Sequence, residues 1–338
     1  MNVQTLPKVA LHDHLDGGLR PQTLLDLGRE YGVSLPGDSA RILAHEVASR
    51  ANSGSLVKYL EAFGWTVGVM QHPEALTRIA REAVEDLAAD GVILAELRFA
   101  PMLHTRGGMS AQDVVDAVAA GVEEGRAATG MPVGLLLCAL RCNDEAEQVV
   151  DLFTQNRDKG IVVGVDLAGP EAGFPVSGHP AFGRLSAMLP GAPITLHAGE
   201  AAGVESMWEA VAAGARRIGH GTRLIDDILA DRSLLHAIKE QNIHLEVCLS
   251  SNVQTGAIAD LRAHPLQRFL DEGVKISLDA DNRLMSATSH SAEYALAKEV
   301  LGLSEAHMRL MTRNALEASF LPREVRQGLL TKFASVLA

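Results

Sequence analysis

The chain has 338 residues, is 47% hydrophobic and 21% charged, and carries a formal net charge of −12. That composition supplies a large core, and the acidic balance argues against nucleic acid or an anionic membrane as partner. The three cysteines are odd in number and form no CxxC pair, no basic-then-apolar leader opens the chain and no apolar run reaches the ~18 residues of a membrane span, so a reducing, cytoplasmic setting is expected.

Residues 9–18 read VALHDHLDGG. Val9, Ala10 and Leu11 look like the end of a short buried strand, with His12 and His14 following two apart. Side chains alternate along a strand, so both imidazoles face one way and Asp13 the other. Residues 20–82 are mostly helical in pattern, punctuated at 36–38 and 52–55. A second apolar run spans 92–99 (VILAELRF), and Ser110 with Asp113 resembles a capping box opening a helix. The third run is 133–140 (VGLLLCAL), the fourth 161–167 (IVVGVDL) and the fifth 194–197 (ITLH). The sixth is brief, 217–220 (RIGH); 243–249 (IHLEVCL) and 274–278 (VKISL) complete the series. Helical patterns fill the gaps, for example at 207–214 and 228–241, and terminal helices follow residue 291.

Eight strand-like runs separated by helices imply parallel strands, because each crossover needs a helix. The expected fold is a single α/β domain over 1–338: a (β/α)8 TIM-type barrel with extra helices after strand one and at the C-terminus, and a helical lid inserted at about 35–75. An open doubly wound sheet is disfavoured, since no GxGxxG follows the first strand.

In such a barrel the active site lies at the C-terminal ends of the strands. Those ends carry His12 and His14 on strand one, Asp166 and then Gly169 on strand four, His197 and then Glu200 on strand five, His220 on strand six, and Asp279 and Asp281 on strand eight. Three imidazoles and a carboxylate, with one position left for water, make a catalytic Zn²⁺ site, and the expected ligands are His12, His14, His197 and Asp281. A dication there brings the pKa of water toward neutrality and supplies hydroxide. His220 is expected to position that hydroxide, and Glu200 to act as general acid. Asp279 and Asp281 share a strand face, so spacing alone does not choose between them. A helix-capping role for Glu200 and a core role for His197 are the plainer alternatives to be excluded. The remaining histidines, His264 among them, have no comparable placement and read as surface or structural.

These residues resemble the adenosine deaminases, within the amidohydrolase-like zinc barrels. The resemblance runs almost end to end: PKVALHDHLDGGLRP at 7–21, ELRFAP at 96–101, VGVDLAGPE at 163–171, TLHAGE at 195–200, RIGHG at 217–221, CLSSNVQTGA at 248–257 and SLDADN at 277–282. It implies that His12, His14, His197 and Asp281 bind zinc, and that Asp281 also takes the attacking water's proton. It implies that Glu200 protonates N1 of a purine, His220 holds the hydroxide against C6, the Gly169 N–H meets N3, and Asp16 binds a ribose hydroxyl. Leu56, Tyr59 and Phe63, spaced i, i+3, i+7 on one helix face, resemble an apolar gate, although a core-packing stripe has the same spacing. Three positions depart from the family pattern: Asn282 stands where an aspartate usually meets purine N7, Asp279 replaces an asparagine, and Pro170 replaces an acidic residue. An Asn amide can still donate to N7. The expected reaction is hydrolytic deamination of adenosine or 2′-deoxyadenosine. The alternatives are a 5′-modified 6-aminopurine nucleoside such as aminodeoxyfutalosine, adenine itself, or a zinc-binding barrel without activity.

Overall fold

The computed structural model describes residues 3–338. Eight strands occur in chain order: β1 (Lys8–His14), β2 (Val92–Phe99), β3 (Val133–Leu140), β4 (Val162–Ala168), β5 (Thr195–Ala198), β6 (Arg217–His220), β7 (His244–Val247) and β8 (Ile276–Leu278). All the pairings are parallel, in two arcs ordered β1-β2-β3-β4 and β5-β6-β7-β8. Single bridges join the arcs, Val165 to Ile194 on one side and Asp13 to Asp281 on the other, which closes the barrel. The strands are buried on both faces, the reason they read as near-continuous apolar runs.

Helices wrap the outside. The capping box expected at Ser110 is formed: the Asp113 N–H donates to Ser110 Oγ at 3.1 Å and the Ser110 N–H to Asp113 Oδ2 at 2.9 Å, opening the helix Ala111–Thr129. That helix packs along Pro73–Ala89. The stretch after β1 holds five helices, Pro21–Tyr31, Ala40–Ala51, Leu56–Glu61, Phe63–Val69 and Pro73–Ala89; two of the breaks fall at the polar punctuation of 36–38 and 52–55, and those at Ala62 and 70–72 were not expected.

Some boundaries differ from the sequence reading. β1 continues through both histidines, because its pairing with β2 runs on through Asp13–Leu97 and His14–Arg98. The run 243–249 is strand only as far as Val247; Cys248 caps a short helix, Leu249–Gln254. The pattern at 228–241 splits into Leu224–Ile228 and Ser233–Glu240, with Arg232 at φ 65 between them.

The helix Glu305–Ala318, with Arg323–Lys332 and Ala334–Leu337 after it, packs against β8 and β1. Thr312 Oγ1 donates to the Pro7 carbonyl at 2.9 Å, and Glu96 accepts from Ser319 Oγ at 2.6 Å. Glu96 also meets Arg217 at 2.6 Å, and Arg217 meets Glu246 at 2.6 Å. These ions are fully buried yet mutually compensated, as charges taken out of water must be. Among the described residues no helix is long and apolar enough to cross a membrane.

Candidate active site

Metal-ligand atoms of His12, His14, His197 and Asp281 all lie within 4.8 Å of one another, and all four residues are buried. β1 delivers the two histidines, β5 the third, and the turn beyond β8 the carboxylate. The barrel seam runs through this quartet: the Asp281 N–H donates to the His12 carbonyl at 2.9 Å, and the His14 N–H to the Asp281 carbonyl at 2.7 Å. Asp281 sits at φ 60 and His220 at φ 65, left-handed conformations that cost a non-glycine residue energy and concentrate at functional sites.

Two of the three rings are aimed by a partner behind them. His12 Nδ1 donates to Glu246 Oε2 at 2.9 Å and His197 Nδ1 to Asp166 Oδ1 at 3.1 Å. Burial alone would raise both carboxylates, but Arg98 and Arg217 beside Glu246, and His197 and Arg98 beside Asp166, hold them well below the usual range. Both are therefore ionised acceptors, which places a proton on Nδ1 of each imidazole and makes Nε2 the nitrogen left to coordinate a metal. Arg98 spans the two, at 3.0 Å from Asp166 and 2.6 Å from Glu246. His12 Nε2 is buried without a hydrogen-bond partner, and His14 Nε2 faces His197 Nε2 at 3.2 Å. Imidazole nitrogens converging with a carboxylate fit a dication.

The quartet opens on a cavity of about 440 Å³. His14, His197, His220, Glu200, Asp281, Asp16, Gly169, Asn282, Leu56, Tyr59 and Phe63 all line it, whereas His12 lies beneath the floor, fully buried. Burial pushes the Glu200 carboxyl up to about 8, and the Asp281 charge adds to the shift, so it is protonated at neutral pH. Thr255 donates to Glu200 Oε1 at 2.9 Å. His220 Nε2 lies 3.7 Å from Glu200 Oε2, and burial, then His12, lowers its pKa to about 4, so the ring is neutral. Asp16 Oδ2 accepts from the Ala100 N–H at 3.2 Å, while its Oδ1 has no hydrogen-bond partner. Asn282 packs over Gly17, where an added Cβ would lie 1.8 Å from Asn282 Oδ1. Gly219 is as constrained, since a Cβ there would come within 2.9 Å of the His12 ring.

Asp279 and Asp281 play different parts. Asp279 accepts from the Leu11 and His12 N–H groups at 2.7 and 3.0 Å, stitching β8 to β1. The predicted gate helix is broken at Ala62, whose N–H bonds back to Tyr59 in a tighter turn, so Phe63 opens the next helix. The Tyr59 hydroxyl meets Ser286 Oγ at 2.9 Å.

Sequence reasoning missed the supports. Glu171 accepts from the N–H groups of Gly199, Glu200, Ala201 and Ala202, at 2.6 to 3.0 Å, and holds the loop that carries Glu200. Its signal was a carboxylate directly after Gly169 and Pro170. Glu246 and Arg98 were visible as lone charges inside apolar strands.

The family model described as adenosine deaminase matches residues 7–336. The chain belongs to the adenosine deaminase family. An adenosine deaminase of Mycolicibacterium vanbaalenii is 45% identical, over 97% of this chain and 94% of that protein. An adenine deaminase of Arthrobacter aurescens superposes with a TM-score of 0.88 at 25% identity, covering 98% of this chain and 99% of that one. Arabidopsis ADAL, solved with IMP, superposes at 0.86 and 31% identity, covering 99% and 98%. Membership of the adenosine deaminase family makes the chain a purine-deaminating hydrolase of C–N bonds and a metal-dependent one.

Proposed function

We propose that the protein hydrolyses adenosine and 2′-deoxyadenosine to inosine and 2′-deoxyinosine with release of ammonia, using one Zn²⁺ per chain. The observation that carries this reading is a protonated carboxyl, Glu200, on the wall of the cavity into which the quartet opens. His12, His14, His197 and Asp281 would hold the ion, which when bound supplies Lewis-acid activation of water near neutral pH.

The remaining work falls to side chains and backbone. The Glu200 O–H donates to purine N1, making C6 electrophilic. The Gly169 N–H meets N3, and the Asn282 amide donates to N7. Asp16 Oδ1, the buried acceptor without a partner, takes a ribose hydroxyl. The Asp281 carboxylate, held well below its usual range, removes the water's proton as oxygen adds to C6 and passes it to N6; the C6–N6 bond then breaks, ammonia leaves, and the remaining hydroxyl proton returns to Glu200 as the carbonyl forms. Helices over the cavity mouth act as the lid, with Leu56, Tyr59 and Phe63 on its inner face.

One feature favours a second reading. Arg106 lines the same cavity, and no carboxylate among the described residues pairs with it. It would accept an anionic group on the 5′ side of the ribose. Ammonia release from adenosine, 2′-deoxyadenosine, adenine, AMP and a 5′-carboxylated adenosine separates the readings. The proposal expects the highest kcat/KM for the two unmodified nucleosides. A higher value for either anionic compound, lost in Arg106→Ala, would replace adenosine as the substrate.

A further inference from the structure

The neighbours of His220 determine which of its two nitrogens carries hydrogen. The chain of contacts begins at a main-chain group whose role is not negotiable. The Leu266 N–H donates to His264 Nδ1 at 3.1 Å. A nitrogen that accepts carries no hydrogen, so His264 is neutral with its proton on Nε2. His264 Nε2 lies 3.2 Å from Asn252 Oδ1 and donates to it. The amide oxygen is thereby assigned, and the amide nitrogen faces His220 Nδ1 at 3.0 Å. An –NH₂ group only donates, so His220 Nδ1 is the acceptor. Turning the Asn252 amide over would set –NH₂ against the His264 N–H, two donors in contact. All three side chains are buried, so water does not compete for these groups.

We propose that Asn252 and His264 are positioning residues that lock His220 in its Nε2–H form, so that His220 donates a hydrogen bond to the attacking oxygen and never serves as its base. Two of the ligand histidines contrast with it. Glu246 and Asp166 hold a proton on Nδ1 of His12 and His197 and leave Nε2 to coordinate, whereas Asn252 does the reverse for His220. A bare Nε2 on His220 would be a further competing ligand beside the quartet, its ring centroid 4.8 Å from that of His12. With hydrogen there it cannot coordinate, and instead orients the attacking oxygen's lone pair toward C6. The proton balance closes without His220: the water's first proton goes to Asp281 and on to N6, Glu200 gives its own to N1, and the hydroxyl proton later returns to Glu200. His220 ends the addition step with the hydrogen it began with.

The inference rests on the reading of His220 given under the proposed function, and its test separates the two. Long-range ¹H–¹⁵N correlation spectra of histidine-labelled, zinc-loaded protein distinguish a pyridine-type from a pyrrole-type ring nitrogen, and His220→Gln identifies the signal. The expected result is a neutral His220 with hydrogen on Nε2. Hydrogen on Nδ1, or on both nitrogens, overturns the relay even if the protein deaminates adenosine. Absence of deamination with hydrogen on Nε2 removes the functional reading and leaves the relay standing. Asn252→Asp presents an acceptor to His220 and should move the hydrogen to Nδ1. It should lower kcat at least about tenfold, with KM changed less than about threefold and zinc content unchanged. An unaltered kcat with the hydrogen moved contradicts the donor role. Should that variant not fold, the wild-type spectrum alone decides the tautomer.

Discussion

At the scale of single residues, the chemistry depends on opposite treatments of like groups. Asp166, Glu246 and Glu200 are all buried carboxyls, yet Arg98 and the histidines keep the first two ionised, while Glu200 has no cation close enough to offset desolvation. In the proposed reaction the protonated form of Glu200 is the donor, and its pKa is raised from the ordinary 4.5 to about 8. Activity is therefore sustained below that value and falls as pH rises through it, a bound dication drawing the limb lower. A pH profile of kcat/KM checks this; a rate still climbing above about pH 8 would contradict it. Glu200→Gln keeps the side chain's shape but donates poorly. It should lower kcat by about 10²–10⁴-fold with metal content intact, read by steady-state kinetics alongside elemental analysis.

Among elements, the strand tips do the positioning and the turns beyond them set the spacing. The 3₁₀ turn Leu15–Gly17 after β1 lets Asn282 lie against Gly17. Gly17→Ala would put a methyl 1.8 Å from Asn282 Oδ1 and drive that side chain toward the purine site. The expected outcome is a loss of about tenfold or more in kcat/KM for adenosine, with zinc still bound. Kinetics that match wild type would show that Asn282 does not touch the base. The strands and their tips were legible because β2, β3 and β4 are mostly apolar runs, and the polar residues at the ends of β1, β5 and β6 stand out against them. The end of β7 was not legible, because Cys248 and Leu249 suit a strand as well as the helix that tertiary contacts impose there. The break at Ala62 was equally hidden, since a tightened turn leaves the i, i+3, i+7 pattern unchanged.

For the whole molecule, closure of the barrel and assembly of the site are one event. β1 and β8 meet through Asp281, and Asp279 holds the same seam by accepting from Leu11 and His12. Asp279→Ala leaves two buried N–H groups without an acceptor, which should cost about 2–4 kcal/mol of stability and weaken metal binding together. Denaturant unfolding of the metal-free and loaded forms measures both; a stability loss without weaker binding would show that the seam and the site are independent. The sequence motifs pointed to the four residues that the fold brings together, but not to the seam that Asp279 makes, which required the backbone of β1 to be in place. The buried lattice of Glu96, Arg98, Arg217 and Glu246 was likewise visible only as isolated charges, because its pairs join strands far apart in the chain.

The central claim is that one divalent ion, held by His12, His14, His197 and Asp281, is required for displacement of the purine amine. Chelated protein titrated with Zn²⁺, with adenosine deamination followed by ultraviolet absorbance, tests it most directly. Activity should be absent at the start, rise in proportion to added metal and level off at one ion per chain. Full activity in the chelated protein, or no recovery at one equivalent, would contradict the account.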